Sequence, residues 1–145
     1  MERKIRVLIV DAQGGGIGKQ LISAVKEAAL PVEITAVGTN TAATAAMLKA
    51  GAHNAATGEN VVIVGCRKAD VIAGPIGIVI ADALLGEITP RMALAIGQSN
   101  AQRILVPVNH CDNIVVGAPE LPLSALTQEA ARRIAELQAE KGGRA

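Results

Sequence analysis

The chain has 145 residues, a formal net charge of +1 and 50% hydrophobic residues, yet it contains no Phe, Tyr or Trp. This length suits one domain with its own core, here built from Ile, Val, Leu, Ala and Met. Lacking aromatic stacking platforms and a basic block, the sequence argues against nucleic acid as a partner.

Residues 5–10 read as a buried strand. Four glycines in five positions follow, Gly14, Gly15, Gly16 and Gly18. Ile17, Leu21, Val25 and Ala28 then recur at helical spacing, which predicts a helix over 16–29, stopped by Pro31. Residues 32–37 form a second strand, ended by Gly38. Thr39 or Asn40 caps a helix that runs to Ala50, with Gly51 as its stop. A short strand is expected over 52–56. Residues 59–68 fit strand or helix by pattern; helix is preferred, because residues 70–73 then supply a short parallel strand.

Gly74-Pro75 breaks that strand, and Pro75 suits the first position of a helix over 75–85. Apolar residues cover nearly all its faces, which predicts burial in the core or in a subunit interface, and with it a homo-oligomer. Thr89-Pro90 starts another helix, ending near Gly97. Residues 103–108 read as a strand, 109–113 as a polar turn and 114–116 as a last short strand. Residues 123–141 form an amphipathic helix on Leu126, Ala130, Ile134 and Leu137; Glu129–Arg133 and Arg132–Glu136 place opposite charges on its wet face. Residues 142–145 are expected to be a loose tail. Strands alternating with helices predict an α/β fold, a three-layer Rossmann-like sandwich with a mostly parallel sheet, as one domain over 1–141.

The glycine turn carries the functional reading. A helix start leaves backbone N–H groups unpaired beside a partial positive charge, and glycines let a ligand approach them without a Cβ in the way. Lys19 in the first turn opposes the helix dipole by roughly 0.3–1 kcal/mol, a conflict that a bound anion would remove. The competing reading is a tight strand-to-helix turn with no ligand.

Known phosphate motifs match imperfectly. G-x-G-x-x-G fails because Lys19 stands at the last position after Gly14 and Gly16. The short-chain dehydrogenase pattern T-G-x-x-x-G-I-G matches Gly16-Ile17-Gly18, but Asp11 and Ala12 replace its Thr-Gly. A Walker A loop needs Ser or Thr where Gln20 stands, and Gln13 occupies its first glycine position. A dinucleotide site also expects an acid at the end of the second strand; Gly38-Thr39-Asn40 stands there instead.

In a parallel sheet, ligands sit outside the carboxyl ends of the strands, so the residues after each strand should share one rim. The candidate ligand-binding set is Asp11, Gln13, Gly14, Gly15, Gly16, Ile17, Gly18, Lys19, Thr39, Asn40, Gly74, Pro75 and Asn109. Asp11 has three readings: a metal, a ribose, or the backbone of its own turn. Glu59 is either a general base or a first-turn helix charge. Cys111 beside His110 is a nucleophile only if the fold brings them together, and the one other histidine, His53, is remote in sequence, which argues against a metal site. Asp82 either faces the site or, as the preferred reading, pairs across an interface or with an Arg. Cys66 reads as core. With no recognisable signal peptide or apolar run long enough to span a bilayer, the chain is expected in the cytoplasm with both thiols free.

Several strings carry a family likeness: residues 13–19, 38–40, 47–52, 66–70, 74–82, 86–90, 95–99 and 106–109. Together they resemble a bacterial domain-of-unknown-function family, number 3842, whose members are small cytosolic proteins, mostly from Firmicutes and their relatives. The resemblance spans nearly the whole chain and implies no catalytic residue.

Three functions remain in play. The first is binding of a nucleotide, NAD(P) or another, through residues 14–19, with or without a reaction. The second is a non-enzymatic sensor of a small anionic metabolite, or an oligomeric assembly subunit. The weakest is chemistry on a phosphorylated metabolite through Asp11, Asn109 and His110.

Overall fold

The first strand, β1 (Arg6–Asp11), is buried at every position after Arg6, and its side chains alternate between two cores. Val7 and Ile9 join one apolar cluster; Leu8 and Val10 join the other. A strand buried on both faces must lie inside a sheet covered on both sides. In the computed structural model, which describes residues 3–108 and 112–142, it does.

Five parallel strands run in the order β3-β2-β1-β4-β5. β2 (Glu33–Gly38) and β4 (Val71–Pro75) flank β1, and β3 (Asn54–Thr57) and β5 (Gln102–Val106) are the edges. Helices α1 (Gly16–Glu27), α2 (Thr41–Ala50) and α5 (Leu123–Gly142) pack on the Val7 and Ile9 face. Helices α3 (Glu59–Lys68) and α4 (Pro90–Gln98) pack on the Leu8 and Val10 face. This is the Rossmann-like three-layer sandwich, with a wholly parallel sheet. The strand order reverses between β1 and β4, which places a crevice at their carboxyl ends.

The helix expected over 75–85 does not form. Pro75 is the last residue of β4, a single 3-10 turn covers Ile76–Val79, and the chain then folds back on itself through left-handed residues at Asp82, Leu84, Leu85 and Gly86. The expected burial holds in part: Ile78, Ala83 and Leu84 are in the core, whereas Leu85 is 94% exposed.

Among the described residues, residues 114–116 pair with no strand. Ile114 and Val116 are 92% and 94% exposed. Gly142 belongs to α5 rather than to a tail, and its carbonyl accepts the Arg3 N–H at 3.0 Å. On the outer face of α5, Arg132 pairs with Glu129 and Glu136, both at 2.6 Å, and Arg133 reaches Glu129 at 3.3 Å.

Candidate functional site

The apolar run of β1 ends in Asp11, 3% exposed, so this carboxylate must find partners in the turn that follows. Its Oδ1 accepts the Ala12 N–H at 2.8 Å and its Oδ2 the Gly18 N–H at 2.7 Å. Of the three readings of Asp11, the geometry shows the turn-holding one. Burial pushes its carboxyl above the ordinary range, against the opposing pull of the Gly18, Ala12 and Ile17 N–H groups; the charge of Glu87 adds to the rise.

The four glycines do two different jobs. Gly15 has φ +73°, and a Cβ there would meet the Ala43 backbone at 2.9 Å. A Cβ on Gly18 would meet the Met47 sulfur and the Asp11 side chain. These two glycines let α2 pack against the loop. Gly14 and Gly16 have neither reason: their φ is not left-handed, and nothing lies within 4 Å of where a Cβ would stand. Among the described residues, no hydrogen-bond acceptor is placed on the Gly14 or Gly16 N–H.

Both glycines face an open cleft of about 230 Å³, lined also by Asp11, Ile17, Pro75 and Leu84. The cleft lies at the point where the strand order reverses. Larger hollows lie elsewhere. One, of about 400 Å³, runs beneath α3 at the amino ends of β1 and β2; another, of about 410 Å³, lies between α3 and α4; a further one, of about 340 Å³, lies between β5 and α5. Volume does not decide between them. The smaller cleft is the one that combines open backbone donors with a helix N-terminus.

The folded-back segment after β4 brings in a residue that sequence reasoning missed. Glu87 Oε1 accepts the Thr39 hydroxyl at 2.6 Å, the Asn40 amide at 2.8 Å and the Gln13 N–H at 3.1 Å. The Thr39 hydroxyl bond, joined by those from Gln13 and Asn40 and opposed by partial burial, holds the Glu87 carboxyl below its ordinary range. Asn40 is fully engaged: Oδ1 caps α2 through the Ala43 N–H at 2.9 Å, and Nδ2 also donates to the Gln13 carbonyl at 2.8 Å. The segment is pinned by the Asp82 N–H on the Ile88 carbonyl at 2.7 Å.

A family model described as Domain of unknown function (DUF3842) matches residues 6–139. The chain belongs to this family. No curated protein matches it.

Within this DUF3842 fold the expected rim forms in part. Gln13, Gly14, Gly16, Ile17 and Pro75 line the cleft with Asp11. Gly15 and Gly18 lie beneath it, and Gly74 is a packing residue, since a Cβ there would strike the Val10 carbonyl of the neighbouring strand. Lys19 is exposed and is not among the cleft-lining residues. Thr39 and Asn40 hold Glu87. Glu59 accepts the Thr89 hydroxyl at 2.6 Å and has Arg91 at 3.8 Å, a link between the starts of α3 and α4. Asp82 is exposed on its turn. Cys66 is buried, and burial pushes its thiol to about 11, too high for a thiolate nucleophile near neutrality. Asn109, His110 and Cys111 lie outside the described residues. Among the described residues, no three His, Cys, Asp or Glu are gathered as metal ligands, and no helix is long and apolar enough to cross a membrane.

Proposed function

We propose that the chain binds a nucleotide or another phosphate-bearing ligand, with a phosphate resting on the Gly14 and Gly16 N–H groups. The observation that carries this reading is the pair of glycines that neither backbone conformation nor packing requires, both open to the crevice between β1 and β4. A cleft of about 230 Å³ is smaller than the usual pocket for a whole cofactor, roughly 300–1,000 Å³. A diphosphate would fill it, and the nucleoside of NAD(P) or another nucleotide would extend over the rim formed by Thr39, Asn40 and Glu87. The reading places the chain in the cytoplasm, where such ligands are found, and assigns it no reaction and no nucleic-acid or membrane partner.

A second reading, a ligand-free assembly subunit, is favoured by one observation. Leu85, Ile114 and Val116 are each more than 90% exposed, as apolar residues at a subunit contact would be in an isolated chain.

Thermal unfolding against NAD, NADP, ATP, GTP, FAD, S-adenosylmethionine and sugar phosphates separates the two. A ligand at 100 times its dissociation constant adds about 2.7 kcal/mol of stability. The phosphate reading expects such a gain with at least one compound, and its loss in Gly16→Val. A gain unchanged by that substitution removes the glycine loop as the binding site; no gain at all, together with a stable oligomer in light scattering, supports the assembly reading.

A further inference from the structure

We propose that Glu87 sets what the β2 side of the cleft accepts: an unphosphorylated sugar diol, with a phosphate refused. This inference rests on the nucleotide reading above and names its ligand class more narrowly.

Parallel α/β folds that bind dinucleotides place an acid at the end of the second strand, where its carboxylate takes the ribose hydroxyls. In this chain β2 ends in Gly38 and is followed by Thr39 and Asn40, neither of them acidic. The structure delivers a carboxylate to that place from a different part of the chain. Glu87, 48 residues beyond Thr39, bonds Thr39, Asn40 and the Gln13 N–H together.

All three bonds fall on Oε1. Among the described residues Oε2 has no partner, and the side chain is half-buried rather than covered. The donors at the end of β2 are therefore already spent on a negative group, and what remains on offer is an acceptor. A sugar hydroxyl can donate to Oε2. A phosphate monoester at the same place would set like charges side by side and would find Thr39, Asn40 and Gln13 already bonded. Gln13 directly precedes Gly14, so the carboxylate stands one residue from the backbone donors assigned to the diphosphate.

NAD and NADP differ only in a phosphate on one ribose hydroxyl, and inorganic pyrophosphate probes the glycine loop alone. Calorimetric titration of the intact chain with all three tests the inference. The wild type is expected to bind NAD at least about ten-fold more tightly than NADP. Glu87→Gln, which keeps the shape and removes the charge, and Thr39→Val, which loosens the carboxylate, are each expected to shrink that preference while changing pyrophosphate affinity much less than NADP affinity. Circular dichroism melts establish that both variants fold. Equal binding of NAD and NADP by the wild type, or a preference untouched by either substitution, overturns the role of Glu87 while leaving the phosphate site standing. A rise in pyrophosphate affinity in Glu87→Gln as large as the rise for NADP would also overturn it, because Glu87 would then be a stand-in for the phosphate itself. Failure of all three probes to bind removes the nucleotide reading and this inference together.

Discussion

The two ends of the sheet solve the same problem in opposite ways. At the amino ends, backbone groups of the first strand and the residues before it are taken by side chains from other parts of the chain. Asp70 accepts the Arg6 N–H at 2.8 Å and pairs with the Arg3 guanidinium at 3.0 Å. Gln138, 4% exposed on α5, accepts the Ile5 N–H at 2.9 Å and donates to the Arg3 carbonyl at 2.8 Å. At the carboxyl ends, Asp11 satisfies part of the glycine turn, and the Gly14 and Gly16 donors stay open. The larger of these two hollows is at the amino end; the open backbone donors of the glycine turn are at the carboxyl end. A polar group that is already paired holds the fold together, whereas one left open beside a cavity is available to a ligand.

If this division is right, substitutions at the two ends should separate stability from binding. The largest loss of stability is expected for Gln138→Ala, which strands a buried N–H and leaves the Arg3 carbonyl without its donor. A cost of about 2–3 kcal/mol in urea unfolding follows. A variant as stable as the wild type would show that water replaces the side chain there.

Gly15→Ala comes next. It forces a Cβ against the Ala43 backbone from a left-handed conformation, at a cost of about 1–3 kcal/mol by the same measurement. That outcome would sharpen the split among the glycines, because Gly14 and Gly16 carry no such constraint.

Smaller still are the effects of pH, and the two ends should respond with opposite sign. Burial pushes Asp70 up, but the Arg3 side chain, the Arg6 N–H and the charges of Arg3 and Lys141 together bring it below its ordinary value of 3.8. Its stabilisation is complete above that value and is lost as the pH falls through its lowered folded value. Arg3 is about half exposed, so solvent screening keeps the amount small. Asp11 is raised, chiefly by burial, so its ionisation costs stability as the pH rises from 3.8 through its raised value. Urea midpoints between pH 3 and pH 7 should show that Asp70→Asn removes an acid-sensitive gain, whereas Asp11→Asn removes a loss that sets in with rising pH. Slopes of the same sign for the two variants would contradict the assignment.

The order of strands and helices was legible because two periods dominate the sequence. The apolar run of β1, the glycine turn and the spacing of Ile17, Leu21 and Val25 all pointed to the strand-turn-helix unit that is found. Residues 75–85 misled because a run apolar on every face has no period to read. Residues 114–116 are β-branched as a strand should be, but among the described residues no neighbour lies in register with them.

Half of the candidate rim was visible as the residues that end each strand. Glu87 was not, because a loop without pattern carries it across two strands. A signal did exist. The acid missing after β2 called for a search of the other loops at that end of the sheet, and Glu87 follows the turn glycine Gly86 in one of them.

The most direct test is calorimetric titration of inorganic pyrophosphate into the wild type and the Gly14→Ala/Gly16→Ala double variant, with unfolding measured alongside. Alanine fits the backbone at both positions and should leave stability unchanged or raise it, by about 0.4–1 kcal/mol per site. Its methyl groups would stand where the phosphate must approach, so affinity should fall by at least about ten-fold. A more stable protein that no longer holds pyrophosphate is the predicted result; one that binds it as tightly as before would contradict the account.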